Sequence, residues 1–232
     1  MGFLLAAQIS KTMKESVPHC MVKSCFSAGR LSKIVNNLLQ PRRDLITARG
    51  WSVLLDVAAF SVPKGFIEWI ICKIDPDLGE FRNSRNHTSI LFNKEMVVKN
   101  LGLPRGTRPV VLIDKHEVSP NREFYKIDYE HGRRAPIHHA LKLLDTNLDD
   151  ETWLRTFYLV VVATYFCPRT GNMLPLEYLG SLVDPNAFHE YDWGGHIFKH
   201  TMSGIKDFQA RMNKAEKVGN TYFESWVSGC LP

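Results

Sequence analysis

One stretch of the chain, Trp153–Cys167 (WLRTFYLVVVATYFC), is far more hydrophobic than its surroundings. From Phe157 to Cys167 it is broken only by Thr164. A segment that is apolar on all sides predicts a buried helix, because a surface helix keeps one polar face. The acidic residues at 149–151 suit a helix start, and Pro168 ends the helix. A buried strand is the alternative, since FYLVVV is rich in β-branched and aromatic residues. Length and capping residues favour the helix.

Apolar residues recur at intervals of three and four along much of the remaining chain, which predicts further helices. Asn93 is suited to cap the start of one helix, and Gly102 with Pro104 to end it. Pro41 is expected to end the first helix. The predicted helices are Leu31–Leu39, Trp51–Phe60, a segment opened by Pro63, Lys94–Leu101, a segment opened by Ala135 and Pro136, Leu174–Val183, and His196 to about Lys217.

Two short stretches have the composition of strands. Residues 80–92 predict a small β-hairpin with a polar tip, and PVVLI at 109–113 predicts a short strand. The helical segments are longer and more numerous than these. We therefore predict a mostly α fold: an irregular multi-helix globular domain around the central buried helix at about 150–167.

The domain organisation follows from length and local composition. A chain of 232 residues fits one domain or two small ones. Ser16–Arg30 has a loop-like composition, and residues 1–40 are predicted to form a poorly ordered N-terminal segment before a helical domain over residues 41–232. The polar segment 114–134 predicts a loop and a seam between subdomains. The buried stretch is shorter than the about 20 apolar residues of a membrane span, so no membrane association is predicted.

Composition narrows the class of protein more than its function. Hydrophobic residues make up 44% and charged residues 23%, which is ordinary for a globular protein. The net charge of +5 is mild and spread along the chain, unlike the basic footprint of a dedicated nucleic-acid binder. The five cysteines are odd in number and lack a spacing pattern. They favour a reducing compartment over a disulfide scaffold.

Histidines and cysteines are the first candidates for site chemistry. His196 and His200 are four residues apart on one predicted helix and could face one metal ion, but the HEXXH motif is absent. We interpret both as surface or boundary residues. Cys167 lies at the end of the buried stretch and is interpreted as a small core residue. Other histidines and cysteines lack the spacing of a metal site or a catalytic set: His19, Cys20, Cys25, His138, His139 and Cys230.

Phosphate and nucleic-acid sites have equally weak signals. The glycine-rich phosphate-binding motifs are absent, and no closely spaced acid pair indicates glycosidase or two-metal chemistry. The best nucleic-acid candidate is Arg105–Arg108 with Lys115 and His116, where few aromatic residues are available for stacking. We favour a solvated basic loop. The sequence therefore predicts no catalytic residue, no cofactor, no cofactor-binding residue and no metal ligand.

Several motifs occur in order along the chain: Gly50-Trp51 with LLDV, FIEWIICKIDPD, SILFNKEMVVKNLGLPRG, ETWLRTFYLVVVATYFCPRTG, LPLEYLGSLVDPNAFHEYDWGGHIFKHTMSGI and SGCLP. Together they resemble the plant mobile domain family of transposon-derived plant proteins, over about residues 40–232. The resemblance implies a mostly helical domain, a nuclear location and a role tied to mobile elements. Proteins of this family are also labelled aminotransferase-like, or lie upstream of a SUMO-protease-like domain. They also continue further, so the resemblance implies a C-terminal truncation.

These observations lead to one principal hypothesis and two alternatives. The principal hypothesis is a non-catalytic protein-interaction or scaffold domain with an unknown protein partner, linked through the resemblance to transposable-element activity or silencing. The first alternative is the N-terminal portion of a SUMO-protease-like cysteine peptidase whose catalytic module is absent from this chain. The second is a weak nucleic-acid-binding domain. The sequence leaves the oligomeric state open.

Overall fold

Helices make up most of the fold, as the hydrophobic pattern predicts. The computed structural model describes residues 19–24, 26–60, 62–83, 88–114, 128–130, 134–169, 171–217 and 222–227. The predictions for residues 1–18, for most of the loop at 114–134 and for the C-terminal end lie outside these residues. The α-helices are α1 (Ala28–Asn36), α2 (Gln40–Thr47), α3 (Lys64–Ile71), α4 (Lys94–Leu101), α5 (Ile137–Leu144), α6 (Asp150–Val161) and α7 (Trp193–Lys217).

Short strands form two small sheets. Strands β2 (Ile74–Asp75), β3 (Glu80–Asn83) and β4 (Thr88–Leu91) form an antiparallel sheet in that order. The hairpin predicted at 80–92 is therefore confirmed, with a two-residue third strand that the sequence did not reveal. Strands β1 (His19–Ser24) and β5 (Tyr222–Val227) pair in parallel. No helix within the described ranges is both long and apolar enough to cross a membrane.

The central helix forms as predicted, and the strand alternative for this stretch is wrong. The Asp149 carboxylate accepts the backbone N–H of Thr152 at 3.0 Å and so caps α6. After Val161 the helix widens into a π-helical turn, Val162–Phe166. Every residue of Trp153–Cys167 is buried. The Thr164 hydroxyl donates to the Val160 carbonyl at 2.8 Å, so its polar group is satisfied inside the core.

The packed domain begins closer to the N-terminus than the sequence suggested. In α1, Ala28, Leu31 and Val35 are buried in the main core, and Ser27 caps the helix by accepting the Arg30 N–H at 3.1 Å. The packed domain therefore includes residues before position 41, where the boundary was predicted. Pro41 lies in the first turn of α2, where its missing N–H costs nothing, so it begins a second helix.

Two predicted helices are shorter than expected. Within Trp51–Phe60 only Ser52–Asp56 is helical, as a 3₁₀ turn, because Val57 adopts an extended backbone. Within Leu174–Val183 only Leu176–Ser181 is helical, again as a 3₁₀ turn. A further 3₁₀ turn, Pro185–Glu190, follows it. Short 3₁₀ turns bury selected side chains without needing the long periodic pattern of an α-helix.

The strand predicted at 109–113 is wrong. This segment has no regular secondary structure and lies against the Leu176–Ser181 turn. The Val111 N–H donates to the Ser181 hydroxyl at 2.7 Å, and the Ile113 N–H donates to the Glu177 carbonyl at 2.8 Å. A β-ladder needs a second extended chain, and a helical turn occupies that position.

Among the described residues, the hydrophobic core consists of two clusters. The large cluster surrounds α6 and includes a group of stacked rings, with Tyr158 and Phe188 centroids 4.0 Å apart. The small cluster consists of Ile71, Ile74, Phe81, Ile205 and Phe208, and joins α3 and the antiparallel sheet to the middle of α7. Because α7 contributes Trp193 and Ile197 to the large cluster as well, this one helix connects the two.

Candidate functional sites

The two histidines singled out by their spacing lie side by side on α7. The rings of His196 and His200 are 6.4 Å apart between centroids and nearly parallel, with 18° between their planes. His196 Nε2 is 2.8 Å from the Tyr178 hydroxyl. Both residues are partly buried, as boundary residues are expected to be. Sequence reasoning missed Tyr178, because the contact joins a 3₁₀ turn to a helix and has no local pattern.

Burial keeps both imidazoles neutral. The pKa of His196 is lowered from 6.5 to about 4, mainly by burial and in smaller part by the neighbouring His200 and Lys199. Burial also lowers the pKa of His200, with the nearby Arg169 guanidinium as the second cause. A neutral imidazole can donate one hydrogen bond and accept another, but it is a poor general acid near neutral pH.

Next to Tyr178, on the buried side of the two histidines, lies the Cys167 thiol. Burial raises its pKa to about 12, and a hydrogen bond with Tyr178 offsets only part of that effect. Burial also raises the pKa of Tyr178. A thiol with so high a pKa stays protonated and is a poor nucleophile. The geometry agrees with the interpretation of Cys167 as a core residue.

A polar depression opens beside His200. Its volume is about 450 Å³, and its walls include Arg169, Ser203 and Asp207. The Arg169 guanidinium forms an ion pair with Glu177, so its charge is already neutralised. Within the part of the chain that the structure describes, no group of three histidine, cysteine or acidic side chains is placed to hold a metal ion. The Ser203 hydroxyl and the Asp207 carboxylate in its walls are groups that can form hydrogen bonds with a polar molecule.

A second cavity, smaller and apolar, lies between α3, α4 and α7. Its volume is about 160 Å³. The space is partly open to solvent, since Asn93 and Asn100 in its wall are exposed. Its walls consist of Val62, Phe66, Ile67, Ile70, Ile74, Phe92, Asn93, Met96, Val97, Asn100, Leu101, Ile197, Phe198, Thr201 and Met202. Sequence reasoning assigned several of these residues to helix faces but did not reveal the space between them.

The antiparallel sheet ends in an exposed edge strand. All four residues of β4 are exposed, with Ile90 at 48% and Leu91 at 59%. The Phe92 N–H donates to the Gly79 carbonyl at 2.7 Å. Because backbone groups alternate in direction along a strand, Ile90 and Thr88 also direct their N–H and C=O groups toward β3. The N–H and C=O groups of Ser89 and Leu91 therefore face away from the sheet. Among the described residues no strand pairs with them.

The basic stretch at Arg105–Arg108 is not an open cationic patch. The Arg105 guanidinium lies 2.7 Å from the Glu95 carboxylate. The Arg108 guanidinium lies 2.7 Å from Glu190 and stacks over the Tyr191 ring at 4.9 Å. Both positive charges are thus matched locally, which weakens the nucleic-acid hypothesis. Lys115 and His116 lie outside the described residues.

The remaining candidates do not join a site. His138 on α5 is exposed, and its neighbour His139 is half-buried. His19 and Cys20 are part of β1, whose side chains are not described. Cys25 and Cys230 lie outside the described residues. The structure therefore brings together His196, His200 and Cys167 with the unpredicted Tyr178, and none of the other predicted candidates.

The stability of the fold should depend on pH through His196. Between pH 6.5 and about 4 the unfolded chain takes up a proton that the folded histidine refuses, so stability falls as pH falls. After discounting for partial exposure, we expect a loss of about 2 kcal/mol. His196→Gln should flatten this part of the urea-unfolding stability profile. The exposed His138→Gln is the matched control, and equal profiles for wild type and His196→Gln would contradict the assignment.

The fold and these sites define the class of protein: a mostly helical domain with a polar depression, an apolar cavity and an open strand edge. The chain matches the model of the family described as a domain of unknown function, DUF8566, over residues 24–231. It belongs to this family. No curated protein and no solved structure matches the chain.

This membership corrects the resemblance to the plant mobile domain family. The matching family model, which spans nearly the whole chain, is DUF8566. The assignment to the plant mobile domain is therefore wrong. The expected nuclear location, the link to transposable elements and the SUMO-protease-like alternative depended on that resemblance and lose its support.

Proposed function

We propose that this chain is a non-catalytic protein-interaction domain that binds an extended segment of a partner protein along β4. The observation that carries the proposal is the open edge of the antiparallel sheet. Ser89 and Leu91 each direct one N–H donor and one C=O acceptor outward. A partner strand can pair with these four groups, which is the mode of binding known as β-strand addition.

The side chains of β4 support the same function. Edge strands that must avoid pairing usually carry a charge, a proline or a bulge. The sequence of β4, Thr-Ser-Ile-Leu, has none of these. Ile90 and Leu91 point to opposite faces of the sheet, so a bound strand would contact one exposed apolar side chain on each face. Such alternate contacts give a strand-binding surface its specificity.

The chemistry of the other sites favours binding over catalysis as well. The Cys167 thiol is held protonated by burial. The histidine pair is held neutral, and its nearest hydroxyl partner, Tyr178, has a raised pKa. A nucleophile with a base and an orienting group, which covalent catalysis requires, is not assembled around these residues.

The substitution Leu91→Pro tests the proposal. Proline removes an outward N–H while leaving the inward ladder to β3 intact, so binding should weaken at least tenfold with little loss of folding. Purification of the tagged chain from its native cells, followed by mass spectrometry, measures the partner recovered.

The matched control is Leu112→Pro, which places proline at an exposed leucine of a segment outside helices and strands. We expect Leu112→Pro to recover the partner as wild type does. Equal recovery with Leu91→Pro, or the absence of any reproducible partner of the wild-type chain, would contradict the proposal.

A further inference from the structure

We propose that the apolar cavity between α3, α4 and α7 is a binding site for a small uncharged aromatic molecule. The cavity lies where the two hydrophobic clusters meet without merging. Val97, Leu101 and Ile197 on one side belong to or pack against the large cluster. Ile70 and Ile74 on the other side belong to or pack against the small cluster. Protein interiors are normally packed without spaces of this size, so the gap between the two clusters calls for an explanation.

The size of the cavity limits the ligand to a small ring. Its volume is about 160 Å³. An engineered apolar cavity of roughly 150 Å³ in another protein stays dry and binds benzene. A single six-membered ring with a short substituent therefore fits inside, while part of a fused multi-ring system or a long acyl chain would extend into solvent.

The lining of the cavity selects an uncharged ligand. None of the described residues that line the cavity is charged, and the polar ones are Asn93, Asn100 and Thr201. The Asn93 side-chain oxygen already accepts the Met96 N–H at 3.0 Å as a helix cap. Water inside would find few partners, so an apolar molecule gains by replacing it. A carboxylate or ammonium group would lose hydration against this lining without gaining a countercharge from the described residues, so an uncharged ligand is favoured.

Aromatic and sulfur groups make a ring the preferred shape. Phe66, Phe92 and Phe198 line the cavity, and two methionines, Met96 and Met202, line it from α4 and α7. Aromatic rings pack well edge-to-face with one another. Methionine side chains adapt to irregular gaps and make favourable contacts with ring edges. A ring is thus in contact with groups suited to it from two helices.

The experiment is a titration of the full chain with toluene, followed through the methyl groups of ¹³C-methyl-methionine by NMR. We expect saturable shifts at Met96 and Met202 and none at Met173, which lines the polar depression instead. Benzoate, a charged ring of similar size, should give no saturable shift. Non-saturating shifts, or equal shifts at Met173, would overturn the proposal.

Cavity-filling variants complete the test. Val97→Phe and Ile67→Phe each place a ring in the cavity from a different helix, α4 or α3, and should each weaken toluene binding at least tenfold. Val110→Phe is the matched control, because Val110 packs against the large cluster and does not line the cavity. It should bind within twofold of wild type. If one filling variant does not fold, the other decides, and unchanged toluene affinity in a folded filling variant overturns the site.

Discussion

Replacing Trp193 by alanine should cost about 3–5 kcal/mol of folding free energy, a large fraction of the roughly 5–15 kcal/mol by which folded domains are stable. Trp193 is wholly buried at the start of α7. Its ring lies 4.5 Å from that of Phe188 and 5.8 Å from that of Phe166, between centroids. Removing it leaves a large cavity where the 3₁₀ turn Pro185–Glu190, α6 and α7 meet.

A hydrogen bond adds to this cost. The Trp193 indole N–H donates to the Phe188 carbonyl at 2.9 Å in a buried setting. In Trp193→Ala the carbonyl loses its donor, while in Trp193→Phe most of the ring packing is retained and the main loss is this bond. We therefore expect Trp193→Phe to lose only about 1–2 kcal/mol. Urea denaturation measures both values, and a loss below about 1 kcal/mol for Trp193→Ala would contradict the packing described.

Gly106→Ala should destabilise the fold by about 3 kcal/mol although it adds a single methyl group. A Cβ at this position would lie 2.1 Å from the Tyr191 carbonyl oxygen and 2.5 Å from its carbon. Both are backbone atoms and cannot rotate away. The two chain segments are also held together here, because the Thr107 and Arg108 N–H groups both donate to the Glu190 carbonyl at 2.9 Å.

Gly29→Ala is the matched control for this prediction. Gly29 lies in α1, and the nearest atom to an added Cβ is that of Ala59 at 3.8 Å, an ordinary contact. Alanine favours the helix over glycine, so this variant should be up to about 1 kcal/mol more stable than wild type. Thermal unfolding of the two variants side by side provides the measurement. A Gly106→Ala protein as stable as wild type would mean that the two segments do not approach as closely as described.

Local signals explain the parts of the fold that the sequence predicted correctly. The start of α6 could be predicted because Asp149 is a capping residue and the following turn is acidic. The end of α4 could be predicted because Gly102 adopts the left-handed conformation, with φ of 62°, that glycine tolerates best. In both cases the residue that determines where the helix begins or ends lies at that end of the helix.

Nonlocal contacts explain the failures. The segment at 109–113 has strand composition, but whether it pairs depends on what lies beside it, and a 3₁₀ turn lies there. The contact of Tyr178 with His196 and the apolar cavity likewise arise only when separate elements meet. The β4 edge was predicted as half of a hairpin, but its openness depends on the rest of the sheet. Composition alone carries none of this information.

The mistaken family resemblance has a related cause. Its most specific motifs were Gly102-Leu103-Pro104, Cys167-Pro168 and Tyr191-Asp192-Trp193. In the structure the first ends α4, the second follows the buried helix, and the third begins α7. These are turn and packing functions that unrelated helical domains need equally. Motifs of this kind are therefore weak grounds for a family assignment.

The parallel pairing of β1 with β5 has a consequence for the order of folding. It joins His19 to Tyr222, near opposite ends of the chain. Closing so long a loop costs on the order of 5 kcal/mol of chain entropy when the residues between are unfolded. Once the helices have packed, the two strands are already near each other and most of that cost is removed. We therefore expect this sheet to form last during folding and to open first during unfolding, so its amides should exchange with solvent before those of α6.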